Sequence, residues 1–213
     1  MKQRELEMLL QKVEGHPRPK AALEQYQTPA AIAADALYFA HGKGDIKDRI
    51  VLDAGCGTGI LGIGAKLLGA AEVIALDVDE EALGFAMKNA RALGVDLSLL
   101  TVDVRDFPET VDTVLQNPPF GAQKKHADEP FLEQALKVGG VVYSFHNAET
   151  EGWVDTKVAA QGGVVTDRLR YEFPIPHTFD FHRKERVDVP VVLFRIERPP
   201  QTVKSGTRHR APT

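Results

Sequence analysis

Asn117-Pro118-Pro119-Phe120 follows directly on a strand-like run, VDTVLQ (111–116). These four residue types suit one demanding reaction. The exocyclic amino nitrogen of an adenine is a poor nucleophile, because its lone pair is delocalised into the ring. Two acceptors that draw its hydrogens out of the ring plane localise that lone pair for in-line attack on an electrophilic carbon. The side-chain oxygen of Asn117 and the backbone carbonyl of Pro118 are such acceptors, and the prolines fix the carbonyl direction at low entropic cost. Phe120 offers a face on which a base stacks after leaving its own stack. No metal is required. An ordinary Asn-Pro turn is the plainer reading, but it leaves the stiff double proline and the aromatic at a strand tip unexplained.

A second group of residues could hold a co-substrate. The run IVLDA (50–54) ends in Asp53-Ala54-Gly55-Cys56-Gly57-Thr58-Gly59, followed by the apolar ILGIGAKLLG. Glycines there permit a tight turn and close approach of a ligand to backbone above a helix N-terminus. A glycine-rich turn alone also serves nicotinamide and flavin sites. Dinucleotide folds favour G-x-G-x-x-G, whereas this is G-x-G-x-G preceded by an acid. Asp53 would repel a pyrophosphate and attract a cationic amino-acid moiety carried on a sulfonium. Asp77, at the tip of EVIALD (72–77), is placed to accept both ribose hydroxyls. Asp79, Glu80 and Glu81 read as acids of the next helix's first turn, favoured by its dipole. At the third strand tip either Asp103 or Asp106 could accept from an adenine amino group. Cys56, the one cysteine, has no resolving partner and reads as a small loop residue.

The elements that must position these groups alternate. Strand-like runs at 50–54, 72–77, 97–102 (LSLLTV), 111–116 and 141–145 are separated by helical stretches at about 59–69, 80–93, 129–137 and 149–162. This rhythm predicts a parallel sheet covered on both faces. VVTDRLRYEF and VDVPVVLFRIE, near the end, read as an antiparallel pair that closes one sheet edge. The expectation is a three-layer Rossmann-like α/β fold with a seven-stranded, mostly parallel sheet and an antiparallel last strand. Leu6, Leu9, Leu10 and Val13 predict an amphipathic N-terminal helix. Thr28 reads as the N-cap, with Pro29 at the first position, of a helix to about residue 41.

The 213 residues suit one domain, 43% apolar and 26% charged. No run is long enough to span a bilayer and the N-terminus is charged rather than signal-like, so a cytoplasmic location is expected. The net charge of −4 hides a net of −9 over 1–167 and +5 over 168–213. Part of the basic end is a tail, 199–213, expected to be disordered beyond a domain of 1–198 in which the segment 1–41 packs on the rest. The remainder is Arg168, Arg170, Arg183, Lys184 and Arg186, which suit a docking polyanion. His182, Arg183 and Lys184 resemble a phosphate-contacting loop, although a plain charged loop reads the same way, and Lys124, Lys125 and His126 could also meet backbone phosphate. His177 and His182 with Asp180 lack convincing metal-ligand spacing, so no metal is assigned. His146 reads as capping the sheet.

DAGCGTGIL, Asp77 and NPPF together resemble class I methyltransferases acting on amino groups of bases or on glutamine amides. More closely, LEQYQT (23–28), NPPFG (117–121), YSFHN (143–147) and FHRKERVDV (181–189) are similar to the methyltransferase-like-five family, which makes N6-methyladenosine in small-subunit ribosomal RNA. The resemblance covers about residues 5–197. It implies S-adenosyl-L-methionine as cofactor, structured RNA as partner, and a small zinc-binding activator protein that adds a strand to the sheet. Gln25, Tyr26 and Thr28 match a segment that packs over the cofactor. The implied cofactor residues are then Gln27, Thr28, Asp53, Gly55, Gly57, Gly59, Asp77, Asp103 and Asn117, with Asn117, Pro118, Pro119 and Phe120 catalytic. After NPPFG the family pattern runs Thr-Lys, whereas Ala122-Gln123 stand here before Lys124 and Lys125. Two alternatives remain at this stage. An amide methyltransferase acting on a release-factor glutamine typically carries Tyr after the prolines; a non-catalytic RNA- or cofactor-binding module gives NPPF no purpose.

Overall fold

The computed structural model describes residues 1–20, 24–120, 126–176 and 186–198. A single sheet runs through it in the order β3-β2-β1-β4-β5-β7-β6. Its strands are β1 (Ile50–Ala54), β2 (Glu72–Asp77), β3 (Ser98–Thr101), β4 (Val111–Gln116), β5 (Gly139–Asn147), β6 (Val164–Pro176) and β7 (Arg186–Glu197). The first five pair in parallel, and β7 is antiparallel to both β5 and β6.

Strand alternation sorts side chains into two cores. Val51, Val73, Leu115, Tyr143, Phe145 and Leu193 face α1 (Gln3–Leu10), α2 (Ala30–Gly42) and α3 (Ile60–Leu67). Leu52, Ile74, Val114, Val142, Val192 and Phe194 face α5 (Glu129–Val138) and α6 (Glu151–Ala160). The remaining helix, α4 (Glu80–Ala92), lies on the first side, contributing Ala90 to that core and packing on α3 and β2. Both faces of the central strands are therefore covered, which is why they read as near-continuous apolar runs.

Three local expectations are corrected. Pro29, not Thr28, is the N-cap of α2, and no side chain caps that helix; the Thr28 hydroxyl is committed elsewhere. The third strand shortens to Ser98–Thr101, because it has a neighbour on one side only and Leu100 is 40% exposed. The β6 and β7 strands are longer than the apolar pattern suggested. Their pairing continues from Tyr171↔Val191 to Pro176↔Arg186, past the last β5 partner, Asn147↔Val191. This two-stranded ribbon therefore projects beyond the carboxyl edge of the parallel strands. The expected tail, 199–213, lies outside the described residues.

Candidate active site

Strand order reverses between β1 and β4, and the crevice outside the carboxyl ends at such a switch point is where open α/β sheets bind ligands. A cavity of about 440 Å³ opens there. The glycine turn forms its floor. Gly55, Gly57 and Gly59 all have positive φ (+68°, +54° and +87°), the left-handed region that glycine enters without steric cost. A Cβ on Gly55 would meet the Phe131 ring at 2.8 Å. The turn is held by Cys56 N–H donating to the Leu76 carbonyl (2.9 Å) and Gly59 N–H to that of Cys56 (2.8 Å).

Two carboxylates organise this turn from beneath. Asp53 is 1% exposed and accepts from Gly62 N–H at 2.7 Å, in the first turn of α3. Burial pushes its carboxyl up to about 7, against the Gly62 hydrogen bond, and the nearby Asp77 charge adds to the rise. Asp77 accepts from Gly57 N–H (2.8 Å) and Asp79 N–H (2.9 Å). Its carboxyl is also raised, mainly by burial, and the two amides oppose the shift. A site that keeps two carboxylates near a dry wall is matched to a cationic, hydroxyl-bearing ligand.

At the other wall, Asn117 leaves the end of β4 and its Nδ2 donates to Thr28 Oγ1 at 3.0 Å. Thr28 is 3% exposed. Asn117 Oδ1 is buried and has no hydrogen-bond partner among the described residues. An unpaired buried carbonyl oxygen costs about 1–3 kcal/mol, so it is expected to meet a donor in the working state. Pro118 and Pro119 line the cavity beside it. Phe120 does not. Its ring packs edge-to-face on Phe173 of the projecting ribbon, with centroids 5.8 Å apart, so in this conformation it buttresses the motif rather than lining the cavity.

The residues before α2 close the cavity from above. Gln25, Tyr26, Gln27 and Thr28 all line it. Gln27 Nε2 donates to the Val13 carbonyl at 3.3 Å. The same segment is strapped to the start of α4: Lys20 Nζ and Gln25 Nε2 donate to the two oxygens of Asp79, each at 2.7 Å. Asp79 is the α4 N-cap, accepting from Glu81 N–H. It is not the solvated acid of a helix turn but is 5% exposed. Burial alone would raise its carboxyl; the Lys20 and Gln25 hydrogen bonds outweigh that and hold it below the usual carboxylate range. Sequence reading missed this role because the partners lie some 54 to 59 residues away. It also passed over His16 and Glu24, which line the cavity.

Asp103 lines the cavity and Asp106 does not, which separates the two candidates. Asp103 is held by Arg105, whose Nε and Nη2 donate at 2.8 and 2.6 Å, and that hydrogen bonding lowers its carboxyl. Of the basic candidates, Lys124, Lys125, His182, Arg183 and Lys184 lie outside the described residues. Arg186 opens β7 opposite Pro176, at the projecting end of the ribbon. Arg168 and Arg170, expected to be available to a polyanion, are instead paired with acids of α6. Arg168 reaches Glu151 (3.1 Å) and Asp155 (2.5 Å), and Arg170 reaches Glu151 (2.9 Å). Their charge is locally compensated because β6 packs beside α6.

Comparison with known proteins agrees with this architecture. Residues 35–149 match the methyltransferase small domain. A protein of Methanocaldococcus jannaschii is 43% identical over 93% of this chain and 95% of its own. The rRNA N(6)-adenosine-methyltransferase METTL5 of Danio rerio is 36% identical over 92% of this chain and 99% of its own. The crystal structure of a Pyrococcus horikoshii protein assigned to the RNA methyltransferases superposes with a TM-score of 0.87 at 41% identity, covering 93% of this chain and 98% of that one. With a cavity between the glycine turn and NPPF, and relatives that span nearly its whole length, the chain belongs to the methyltransferase-like-five family of class I S-adenosyl-L-methionine-dependent methyltransferases.

Proposed function

We propose that the protein methylates the N6 amino group of an adenine in structured RNA, and that the RNA is the small-subunit ribosomal RNA. The observation that carries the reading is the buried, unpartnered Asn117 Oδ1 at the cavity wall. Bound S-adenosyl-L-methionine supplies an electrophilic methyl group. Asp53 would hold its ammonium, Asp77 its ribose hydroxyls and Asp103 its adenine amino group, with Gln27 and Thr28 lining the same cavity. Asn117 Oδ1 and the Pro118 carbonyl accept the two hydrogens of the target amino group and set its lone pair toward the methyl carbon.

The β6–β7 ribbon projects from the same edge as NPPF and touches it through Phe173 and Phe120. The basic run 182–186, which leads in sequence into β7, is where RNA phosphates meet the protein in this reading, with Lys124 and Lys125 as the second basic contact. The outer edge of β3 has no strand beside it among the described residues, and an open edge with exposed Leu100 is a template for strand addition. A small zinc-binding activator adds its strand there. No helix among the described residues is long and apolar enough to cross a membrane; the cytoplasmic location belongs to the proposal, as the place where ribosomal RNA would be met.

The test is direct. The protein is incubated with tritium-labelled cofactor and separated total RNA, DNA and protein, and labelled RNA is digested to nucleosides. Label in N6-methyladenosine from the small-subunit RNA is the expected result; label confined to the protein fraction overturns it. Co-expression with candidate zinc-binding partners, followed by size-exclusion chromatography, tests the activator. A fully active, monodisperse monomer would sink that part alone.

A further inference from the structure

A buried hydrogen-bonded chain runs behind the NPPF segment. Gln116 Nε2 donates to Ser144 Oγ (2.9 Å), Ser144 Oγ lies 2.7 Å from His146 Nε2, and His146 Nδ1 lies 2.8 Å from Asp128 Oδ2. Gln116, Ser144 and His146 are fully buried, and Asp128 is 6% exposed. A carboxylate can only accept, so the His146 proton sits on Nδ1. Nε2 is then an acceptor for the Ser144 hydroxyl, whose oxygen accepts from Gln116. Donors and acceptors alternate without conflict along the whole chain.

The ends of this chain are its informative feature. Gln116 is the last residue before Asn117, paired in register with Ser144. Asp128 is the residue at which the backbone re-enters regular structure, as N-cap of α5. One relay through β5 thus links the residue before Asn117 to the residue at the start of α5. Asp128 gives up its ordinary task to do so: it makes no side-chain cap on α5, where an aspartate would normally accept from the helix amides. Between the two ends, His126 holds a positive φ of +59°, an uncommon state for a side-chain-bearing residue. Its ring stacks on Trp153 at 4.7 Å and lines the cavity.

We propose that Asp128, His146 and Ser144 are positioning residues that clamp the NPPF segment, so that Asn117 Oδ1 and the Pro118 carbonyl keep the geometry the target amino group requires. The proposal rests on the adenine-methylation reading above. Small misplacements of such acceptors cost catalysis heavily, a shift of about 1 Å costing on the order of 100-fold. The relay makes no hydrogen bond to the glycine turn or to Asp77, so its effect is expected on transfer more than on cofactor affinity.

The test compares wild type with Asp128→Ala, Asp128→Asn and Ser144→Ala. Three quantities are read: the single-turnover rate on small-subunit RNA, cofactor affinity by calorimetry, and acrylamide quenching of Trp153, the one tryptophan in the chain. Asp128→Ala and Ser144→Ala are expected to slow transfer at least tenfold with cofactor affinity within about twofold of wild type, the split of an interaction acting only in the chemical step. Asp128→Asn, which keeps an acceptor for the Nδ1 proton, restores most of the rate. Trp153 quenching rises in Asp128→Ala as the His126 stack loosens. Should Asp128→Ala fail to fold, Ser144→Ala decides. Transfer within twofold of wild type in the folded alanine variants overturns the clamp, as does a parallel loss of cofactor affinity. If wild type labels no RNA, the function reading fails while the quenching comparison still judges the clamp: unchanged quenching sinks it.

Discussion

Asn117 and Thr28 meet across the cavity, the amide nitrogen donating to the threonine hydroxyl at 3.0 Å and turning the amide oxygen into the buried space. The donor is thereby spent on the protein, and the acceptor is left without a partner among the described residues. The proposed reaction requires the Asn117 amide in this orientation.

Replacing Asn117 with Ala should leave cofactor affinity near wild type and reduce turnover to below about a few per cent, the pattern of an interaction made with the acceptor nitrogen alone. Thr28→Val removes the partner but keeps the shape. It should slow transfer about tenfold, the equivalent of one lost hydrogen bond of about 1.4 kcal/mol. Rates of both variants on small-subunit RNA, beside calorimetric cofactor affinities, check this; an unaltered Thr28→Val rate would mean the amide orients itself.

Asp53 makes cofactor binding depend on pH. Its carboxyl is raised to about 7 in the free protein, and a cationic ammonium favours the ionised form. Affinity should therefore rise severalfold from pH 6 to about 7.5 as the ionised fraction of Asp53 grows, and level off above that as the cofactor's own α-amino group, with a pKa of about 7.7–8.0, loses its proton. Binding near neutrality should release a proton, visible as a calorimetric enthalpy that varies with buffer. The sign for folding is opposite. The folded chain keeps a proton that an unfolded aspartate gives up near pH 4, so Asp53 costs the free protein stability as pH rises from about 4 to 7. Asp53→Asn should flatten the affinity profile.

Asp77→Ala should weaken cofactor binding by about 1.5–3 kcal/mol, the range for a lost hydrogen bond to a charged group. Part of that loss passes through Gly57, whose amide the carboxylate holds at 2.8 Å. Asp77→Asn, retaining one acceptor oxygen, should fall between. Equal affinity in all three proteins, measured by calorimetry, would move the ribose contact elsewhere.

Neutralising Arg183, Lys184 and Arg186 together should weaken RNA binding and reduce the slope of log K against log salt, with cofactor affinity unchanged. Arg168 and Arg170 make the contrasting pair. They are engaged by Glu151 and Asp155, so their replacement should change the slope far less. Filter binding across a salt series separates the two sets, and equal slopes would leave the basic run 183–186 with no part in RNA binding.

The sequence by itself determined the layered α/β order, the glycine turn, the acids at the strand tips and the NPPF motif. These are local properties: apolar periodicity sets each element, and the residue after a strand's last apolar position stands at its carboxyl tip. Asp77 and Asn117 were legible for that reason. The long β6–β7 ribbon was not, since Pro174 and Pro176 mask strand pattern and only pairing with β7 reveals it. Nor was the commitment of Asp79 to Lys20 and Gln25, of Thr28 to Asn117, or of Arg168 and Arg170 to α6. His146 read as a sheet cap, while the structure buries it in a relay that ends on Asp128. Each of these depends on which segments packing brings within about 3 Å of one another, the reach of a hydrogen bond. Whether a polar side chain faces water or a partner is decided by the surfaces that cover it, and those surfaces come from distant parts of the chain.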